Sequence, residues 1–462
     1  MNYRRRAFLV GGLYFCFGAM ERATWPNLLP TIGDDFGVSA TAVAWTVIAF
    51  ALGMAGSTLT AGRLGDLLGH RRLAIGGFTA EAVLLALAAI SPFLWLIFVF
   101  RFLQGFAAAA ALNNVTAIVV GAFPPERRGR VIGSVSGLAA FGLMMGPLYG
   151  GFIAQWLDWR WAIGGIAAYT MAQAVVTAVL LRPQEPRGSA GRLRDLNWAG
   201  AIGLLLVMVA LLVSAQLIRG ADTRVIGGVL LAAAAGGAVL TVRLEQRAAM
   251  PILGLDLFKR WDFSAASIAL VWFSLAFGAV NLLFPYYFQQ GLGWTVAGSG
   301  VMLIALNVVQ PWGSPLSGLV ADRIGARRVL VAGGILGVLS LFLAGTLGEA
   351  PAMWRVILPL VLFGSAISLF MPPASKLIFS EVPPTALASA AAMATSGRYI
   401  GQSLGAALGT ALLAVRGESS VAEAFGSAMS VIGVLLLAGM LALLVARPLV
   451  SVALRRWAVH ET

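Results

Sequence analysis

Long apolar runs alternate along the chain with short breaks rich in charge, proline and glycine. The runs fall at about 7–31, 39–62, 73–90, 92–123, 131–156, 159–181, 196–218, 225–242, 263–288, 296–319, 329–347, 354–375, 386–415 and 424–446. Runs near twenty residues match the length at which an α-helix crosses a bilayer, whereas a membrane strand needs about ten residues of alternating pattern. Backbone amides in hydrocarbon must be satisfied inside helices or closed barrels. The pattern therefore predicts an all-α polytopic membrane protein of fourteen spans.

Composition agrees: 59% of the 462 residues are hydrophobic and 11% charged, against about a quarter charged in soluble domains. The net charge of +13 would suggest nucleic acid in a soluble protein, so the placement of the basic residues decides its meaning. With the N-terminus in the cytoplasm, the inner segments hold Arg4, Arg5, Arg6, Arg63, Arg71, Arg72, Arg127, Arg130, Arg187, Arg192, Arg194, Arg327 and Arg328, among others. The outer segments hold only Arg160, Arg219, Arg224, Arg355 and Arg416. This asymmetry puts both termini in the cytoplasm and accounts for the basic charge with no nucleic-acid partner. Arg4, Arg5 and Arg6 lead into a run that continues to Pro30, which reads as a retained span rather than a cleaved signal. Trp156, Trp159, Trp161 and Trp457 near run ends suit an interfacial belt. Arginine- and alanine-rich, lysine-poor usage suggests a bacterial cytoplasmic (inner) membrane, and a monomer is expected.

The stretch Gly62-Arg63-Leu64-Gly65-Asp66-Leu67-Leu68-Gly69-His70-Arg71-Arg72 recurs as Gly318-Leu319-Val320-Ala321-Asp322-Arg323-Ile324-Gly325-Ala326-Arg327-Arg328. Two copies in one orientation, eight spans apart, imply parallel repeats. A six-plus-six duplication would separate them by six, so two extra spans lie between the halves. The expected organisation is a six-helix bundle over 1–182, a linker with two additional spans over 183–260 and a second six-helix bundle over 261–462. Spans 7 and 8 have no ionisable residue in their interiors and are expected to be peripheral and lipid-facing.

The two loops resemble the signature of the major facilitator superfamily, and further segments are similar to its fourteen-span drug:proton antiporter branch. They are Glu21 followed by Asn27-Leu28-Leu29-Pro30, Trp45, Arg101-x-x-Gln104-Gly105, Gly142-x-x-x-Gly146-Pro147-x-x-Gly150-Gly151, and Asp158-Trp159-Arg160-Trp161. Glu21 stands where that branch usually has aspartate, and Arg22 and Pro26 are departures. The resemblance implies a major facilitator fold of two six-helix bundles plus two central spans. It also implies proton-coupled export of lipophilic or cationic small molecules; an exporter of an endogenous lipid or amphiphile on the same scaffold is the alternative. Direction comes from the resemblance alone.

Ionisable side chains inside spans cost at least about 2.5 kcal/mol on insertion scales, so each calls for a function or a partner. Burial favours the neutral form of a carboxylic acid, which makes Glu21 the leading proton site. Its structural alternative is an ion pair with Arg22, Arg101 or Arg398. Arg101 would tune or release that proton, as the resemblance also implies, or else make a packing hydrogen bond. Glu81 is either a second proton group or a residue snorkelling to the cytoplasmic face. Glu21, Arg22, Asn113, Asn114, Tyr149, Asn281, Tyr286 and Arg398 are the candidate lining of a substrate cavity. Gly62, Asp66, Gly69, Arg71, Arg130, Asp322 and Arg327 are candidate gate residues, with Asp66, Arg71 and Arg130 expected to form a charge cluster that latches an outward-facing state. Lys376 suits packing or a gate. Gly142, Gly146 and Gly150, with Pro147, and Gly401 and Gly405 set flat faces for close, slidable helix contact.

Membrane enzymes are disfavoured. Cys16 is the sole cysteine, His70 and His460 the only histidines, and no phosphate-binding loop occurs, so no metal or other cofactor is expected. The expected partners are a small-molecule substrate, protons and the lipid bilayer.

Overall fold

The computed structural model describes residues 2–182, 198–217, 223–247, 255–380, 382, 387–414 and 420–459. Arg187, Arg192, Arg194, Arg219 and Arg416, which entered the charge argument, lie outside these, and so does the side chain of Trp457. Helices dominate: α1 Tyr3–Phe36, α2 Ala40–Leu68, α3 His70–Ala89, α4 Leu94–Gly121, α5 Pro125–Trp156, α6 Trp159–Leu180, α7 Trp198–Leu217 and α8 Arg224–Arg247 come first. A 3-10 turn Leu255–Lys259 leads into α9 Trp261–Tyr286, which ends in a π-turn Tyr287–Gly291. Then follow α10 Val296–Met302, α11 Ile304–Asn307, α12 Gln310–Ile324, α13 Ala326–Gly345, α14 Met353–Phe379, α15 Leu387–Ala414 and α16 Val421–Val459.

Eleven described segments are long and apolar enough to cross a membrane, with α10 to α12 counted as one segment, so on this measure the expected fourteen is not reached. Helices α1, α7 and α15 fall outside the set. Glu21 and Arg22 interrupt α1, α15 is built of small residues around Arg398, and α7 contributes only the shorter apolar stretch Ile202–Leu211. Within the tenth apolar run the helix breaks at Leu303 and again at 308–309, a discontinuity that periodicity did not show.

Caps mark the helix starts. The Asn2 side chain accepts from Arg4 N at 3.1 Å, Ser39 from Ala42 N at 3.3 Å and Asp158 from Arg160 N at 2.7 Å. The two repeated loops have the same backbone: Gly69 at φ 95° and Gly325 at φ 96° turn α2 into α3 and α12 into α13. An L side chain is strained at that φ, so both copies need glycine there.

Helix α1 packs on α5, and α9 packs on α15, the helices of the apolar runs eight further along the chain. The glycine stripes are the reason. A Cβ at Gly142 would overlap the Cys16 carbonyl oxygen and one at Gly146 the Met20 carbonyl, while Cβ atoms at Gly401 and Gly405 would overlap the carbonyls of Val271 and Leu275. Thr24 Oγ1 also donates to Gly146 O across the first pair at 2.9 Å.

Two expectations are corrected. Helix α7 is not peripheral, because it packs on both α2 and α15 as well as α8, with Leu205 filling the space that a Cβ at Gly56 would need. Only α8 is mostly outward-facing. Trp159 likewise is not an interfacial anchor: it is buried, with Nε1 donating to Asp35 Oδ2 at 3.2 Å, whereas Trp156 and Trp161 are exposed.

Candidate functional site

Three helices bring their charged residues together in the bundle interior. Glu21 from α1, Glu81 from α3 and Arg101 with Gln104 from α4 are all buried to within 3% of full occlusion. Arg101 Nη1 donates to Glu21 Oε1 at 2.6 Å and to Gln104 Oε1 at 2.6 Å, and Nε donates to Thr46 O at 3.2 Å. Its guanidinium lies between two aromatic rings, 4.2 Å from the centroid of Trp25 and 4.4 Å from that of Phe50. These contacts supply the desolvated cation with both hydrogen-bond acceptors and π faces.

The orientation of Gln104 follows from chemistry. Arg101 can only donate, so the amide oxygen must face it, and the NH2 group then points at both carboxyls. Nε2 lies 3.3 Å from Glu21 Oε1 and 3.4 Å from Glu81 Oε1. One oxygen on each acid, Glu21 Oε2 and Glu81 Oε2, is buried without a hydrogen-bond partner. The burial of Glu81 excludes snorkelling. The partner of Glu21 among the three arginines considered is Arg101. Arg22 is only partly buried and makes no hydrogen bond or ion pair among the described residues, but it lies within electrostatic reach of Glu21, Glu81, Tyr14 and Tyr399. Arg398 sits over the Tyr399 ring at 5.7 Å, bringing α15 to the same interior region.

Other sequence candidates are engaged elsewhere. Asn114 is fully buried and does not line a cavity: Nδ2 donates to Ala61 O and Ala110 O, and Oδ1 meets His70 Nδ1 at 2.8 Å, so the side chain joins α4 to α2. Asn113 donates to Thr58 O, Tyr149 to Ala162 O and Asn281 to Phe277 O in its own helix. Tyr286 is buried with its hydroxyl unpartnered, within electrostatic reach of Asp34. The charge cluster of Asp66, Arg71 and Arg130 does not form in this structure. Asp66 faces His70 at 3.3 Å, while Arg71 donates to Leu181 O and Ala178 O at the end of α6, whose last carbonyls need donors. Arg130 lies with Arg4 and Arg5 instead. Asp322 takes Lys376 at 2.5 Å rather than Arg327.

Sequence reasoning did not single out Asn27 as a contact hub. Its Nδ2 donates to Pro147 O at 3.1 Å and Val296 O at 3.2 Å, and its Oδ1 accepts from Ser299 Oγ at 2.8 Å. Gln289 Nε2, on the π-turn, donates to Asn27 O at 2.8 Å. Nearby, Thr31 meets Gln289, Gln290 meets Asp34, and Gln155 accepts from Ala297 N. Glycines at 151 and 300 let α5 and α10 approach backbone to backbone here. The end of the bundle that carries the C-terminus of α1 is thus closed by polar contacts between early and late helices. The fully satisfied Asn27 was the available signal, being a buried amide in an apolar run.

The model of the Major Facilitator Superfamily matches residues 10–244 and 266–458. The chain belongs to the major facilitator superfamily. The tetracenomycin C resistance and export protein of Streptomyces glaucescens is 30% identical over 397 residues, covering 86% of this chain and 72% of that one. The multidrug resistance protein Stp of Mycobacterium tuberculosis (strain CDC 1551 / Oshkosh) is 30% identical over 394 residues, covering 84% and 72%. Among solved structures, the nucleoside transporter NupG superposes with a TM-score of 0.71 at 13% identity over 96% of this chain and 99% of that one. A bacterial homologue of the lysosomal transporter Spinster, inward-facing and occupied, gives 0.70 at 15% identity over 96% and 97%. This major facilitator protein is therefore an integral membrane transporter of small molecules, not an enzyme.

Proposed function

We propose that the chain is a proton-coupled exporter of lipophilic or cationic small molecules that works by alternating access. It sits in the bacterial cytoplasmic membrane as a monomer of fourteen spans with both termini inside, the bundles at 1–182 and 261–462 flanking the additional spans of 183–260. The observation that carries this reading is the wholly buried pairing of Glu21 with Arg101, shared through Gln104 with a second buried acid, Glu81. A buried acid held by a single cation is stable ionised, and becomes stable neutral once that cation is drawn elsewhere.

In this scheme a proton arrives at Glu21 Oε2, the oxygen without a donor. Neutral Glu21 loosens its hold on Arg101, which keeps Gln104, Thr46 and the two ring faces. Glu81 is the second proton group. Arg22 and Arg398 border the substrate path. With the N-terminus inside, the closed end faces outward, so the conformation is inward-facing. The cluster of Asp66, Arg71 and Arg130 then belongs to the opposite state, with Asp322 and Arg327 in the second half, and the glycine faces of α5 and α15 slide between the two. Efflux of drug-like compounds is supported by the names of the two relatives.

The test is reconstitution of the protein and its Glu21→Gln variant into liposomes holding a pH-sensitive dye. A proton gradient is imposed and lipophilic cations, neutral drugs and lysolipids are added in turn. A compound should collapse the gradient with the wild type and not with the folded variant. Equal responses from both proteins would remove Glu21 from coupling, and no response to any compound would sink drug export as the activity.

A further inference from the structure

A cavity of about 310 Å³ opens beside the first two turns of α1, walled by Arg4, Arg5, Phe8, Phe123, Arg130 and Val131. Like charges converge on it. Among the described residues Arg4, Arg5 and Arg130 have no acidic partner, and the adjacent Arg6 buries its Nε without a hydrogen-bond partner. Phe8, Phe123 and Val131 make the rest of the wall largely apolar, beside Ser134, whose hydroxyl donates to Arg130 O. Helix α1 has 34 residues, about 51 Å at 1.5 Å per residue, against a hydrocarbon thickness of about 30 Å, so its first turns reach the headgroup layer. Phe8 lies one turn deeper than Arg4 and Arg5.

The geometry points to a binding site for an anionic phospholipid, whose headgroup phosphate takes the three guanidiniums and whose acyl chains lie along Phe8, Phe123 and Val131. A guanidinium matches a phosphate with paired donors, and a basic pocket between spans is the setting in which anionic headgroups are held. The apolar wall selects a phosphate carrying chains over free phosphate. Each arginine near a membrane surface strengthens anionic-lipid binding about fivefold, so three together give roughly a hundredfold. Only the choice of leaflet rests on the orientation proposed above, and the binding measurement does not depend on it. Occupancy also holds Arg130 on the α1 side, away from Asp66, and so favours the conformation described.

Native mass spectrometry of the detergent-purified full chain, titrated separately with phosphatidylglycerol, phosphatidylcholine and inorganic phosphate, tests this. The wild type should retain phosphatidylglycerol in preference to phosphatidylcholine. The variant Arg4→Gln/Arg5→Gln/Arg130→Gln should bind phosphatidylglycerol roughly a hundredfold more weakly. A variant losing three exposed arginines elsewhere, Arg72→Gln/Arg182→Gln/Arg328→Gln, should bind it as the wild type does. Should the first variant not fold, Arg130→Gln alone is expected to weaken binding about fivefold. Unchanged phosphatidylglycerol binding in the Arg4, Arg5 and Arg130 variants, equal losses in both triple variants, or displacement of the lipid by equimolar inorganic phosphate would each overturn the assignment.

Discussion

Replacing Arg101 by methionine keeps most of its length and removes its charge, leaving the Glu21 carboxylate, 2% exposed, with Gln104 Nε2 at 3.3 Å as its one neutral donor. Breaking a buried ion pair from one side costs about 3–5 kcal/mol, because the remaining charge is stranded in low dielectric. Glu21→Gln is milder: Arg101 keeps Gln104 Oε1, Thr46 O and two ring faces, and one charged hydrogen bond is lost, about 1.5–3 kcal/mol. The double variant Arg101→Met/Glu21→Gln removes both charges at once and should lie close to the wild type, since neutral replacement of a buried pair is often nearly neutral. The coupling energy from the cycle is then about 4.5 kcal/mol or more. Reversible unfolding of all four proteins by sodium dodecyl sulfate in mixed micelles, followed by tryptophan fluorescence, measures it. If Arg101→Met costs under about 1 kcal/mol, or if the double variant is as unstable as the two single losses added together, the pair is not the desolvated unit described.

Asn27→Ala removes three contacts that join α1 to α5 and α10, and should slow bifunctional cross-linking between cysteines placed at Asp34 and Gln290 in a Cys16→Ala background. Gly142→Leu and Gly405→Leu should each lower the monodisperse folded fraction in size-exclusion chromatography, overpacking costing about 1–3 kcal/mol or more; Gly133→Ala, with open space around it, should not. Gly69→Ala and Gly325→Ala should destabilise by similar amounts, about 1–3 kcal/mol each, in the same detergent titration, because the two loops share one positive φ. Lys376→Ala should change stability by less than about 1 kcal/mol, since its pair with Asp322 is solvated, with side chains 49% and 65% exposed.

The superfamily, the helical class and the glycine contacts were readable because each leaves a local mark: run length, a repeated loop, or a period of four. Glu21 and Arg101 were readable as candidates because charges are rare in such runs, but which of Arg22, Arg101 and Arg398 pairs with Glu21 was left to the structure. Gln104 was less so, since a neutral amide beside an arginine carries no cost that sequence exposes, and its role depends on Glu81 arriving from α3. The displaced roles of Asn114 and Arg71 have the same origin. A polar side chain in lipid takes the nearest free carbonyl, and which one is nearest depends on helix rotation rather than spacing. The packing of α7 escaped notice because an apolar helix looks alike whether it faces lipid or the seam between α2 and α15.

The polar closure at one end of the bundle sets an equilibrium as well as a shape. Six hydrogen bonds there, between Asn27, Thr31, Asp34 or Gln155 and the late helices, are lost whenever that end opens. At the low end of the usual net worth, about 0.5 kcal/mol each because most are only part-buried, they total about 3 kcal/mol, which disfavours the open form by roughly 150-fold. In the alternating-access cycle proposed above, contacts formed in the opposite state must offset this term before the far side is offered. In that cycle, whatever bias remains lowers the apparent affinity of a ligand arriving from that side, and a compound drives the cycle only through the extent to which it binds the rarer form more tightly.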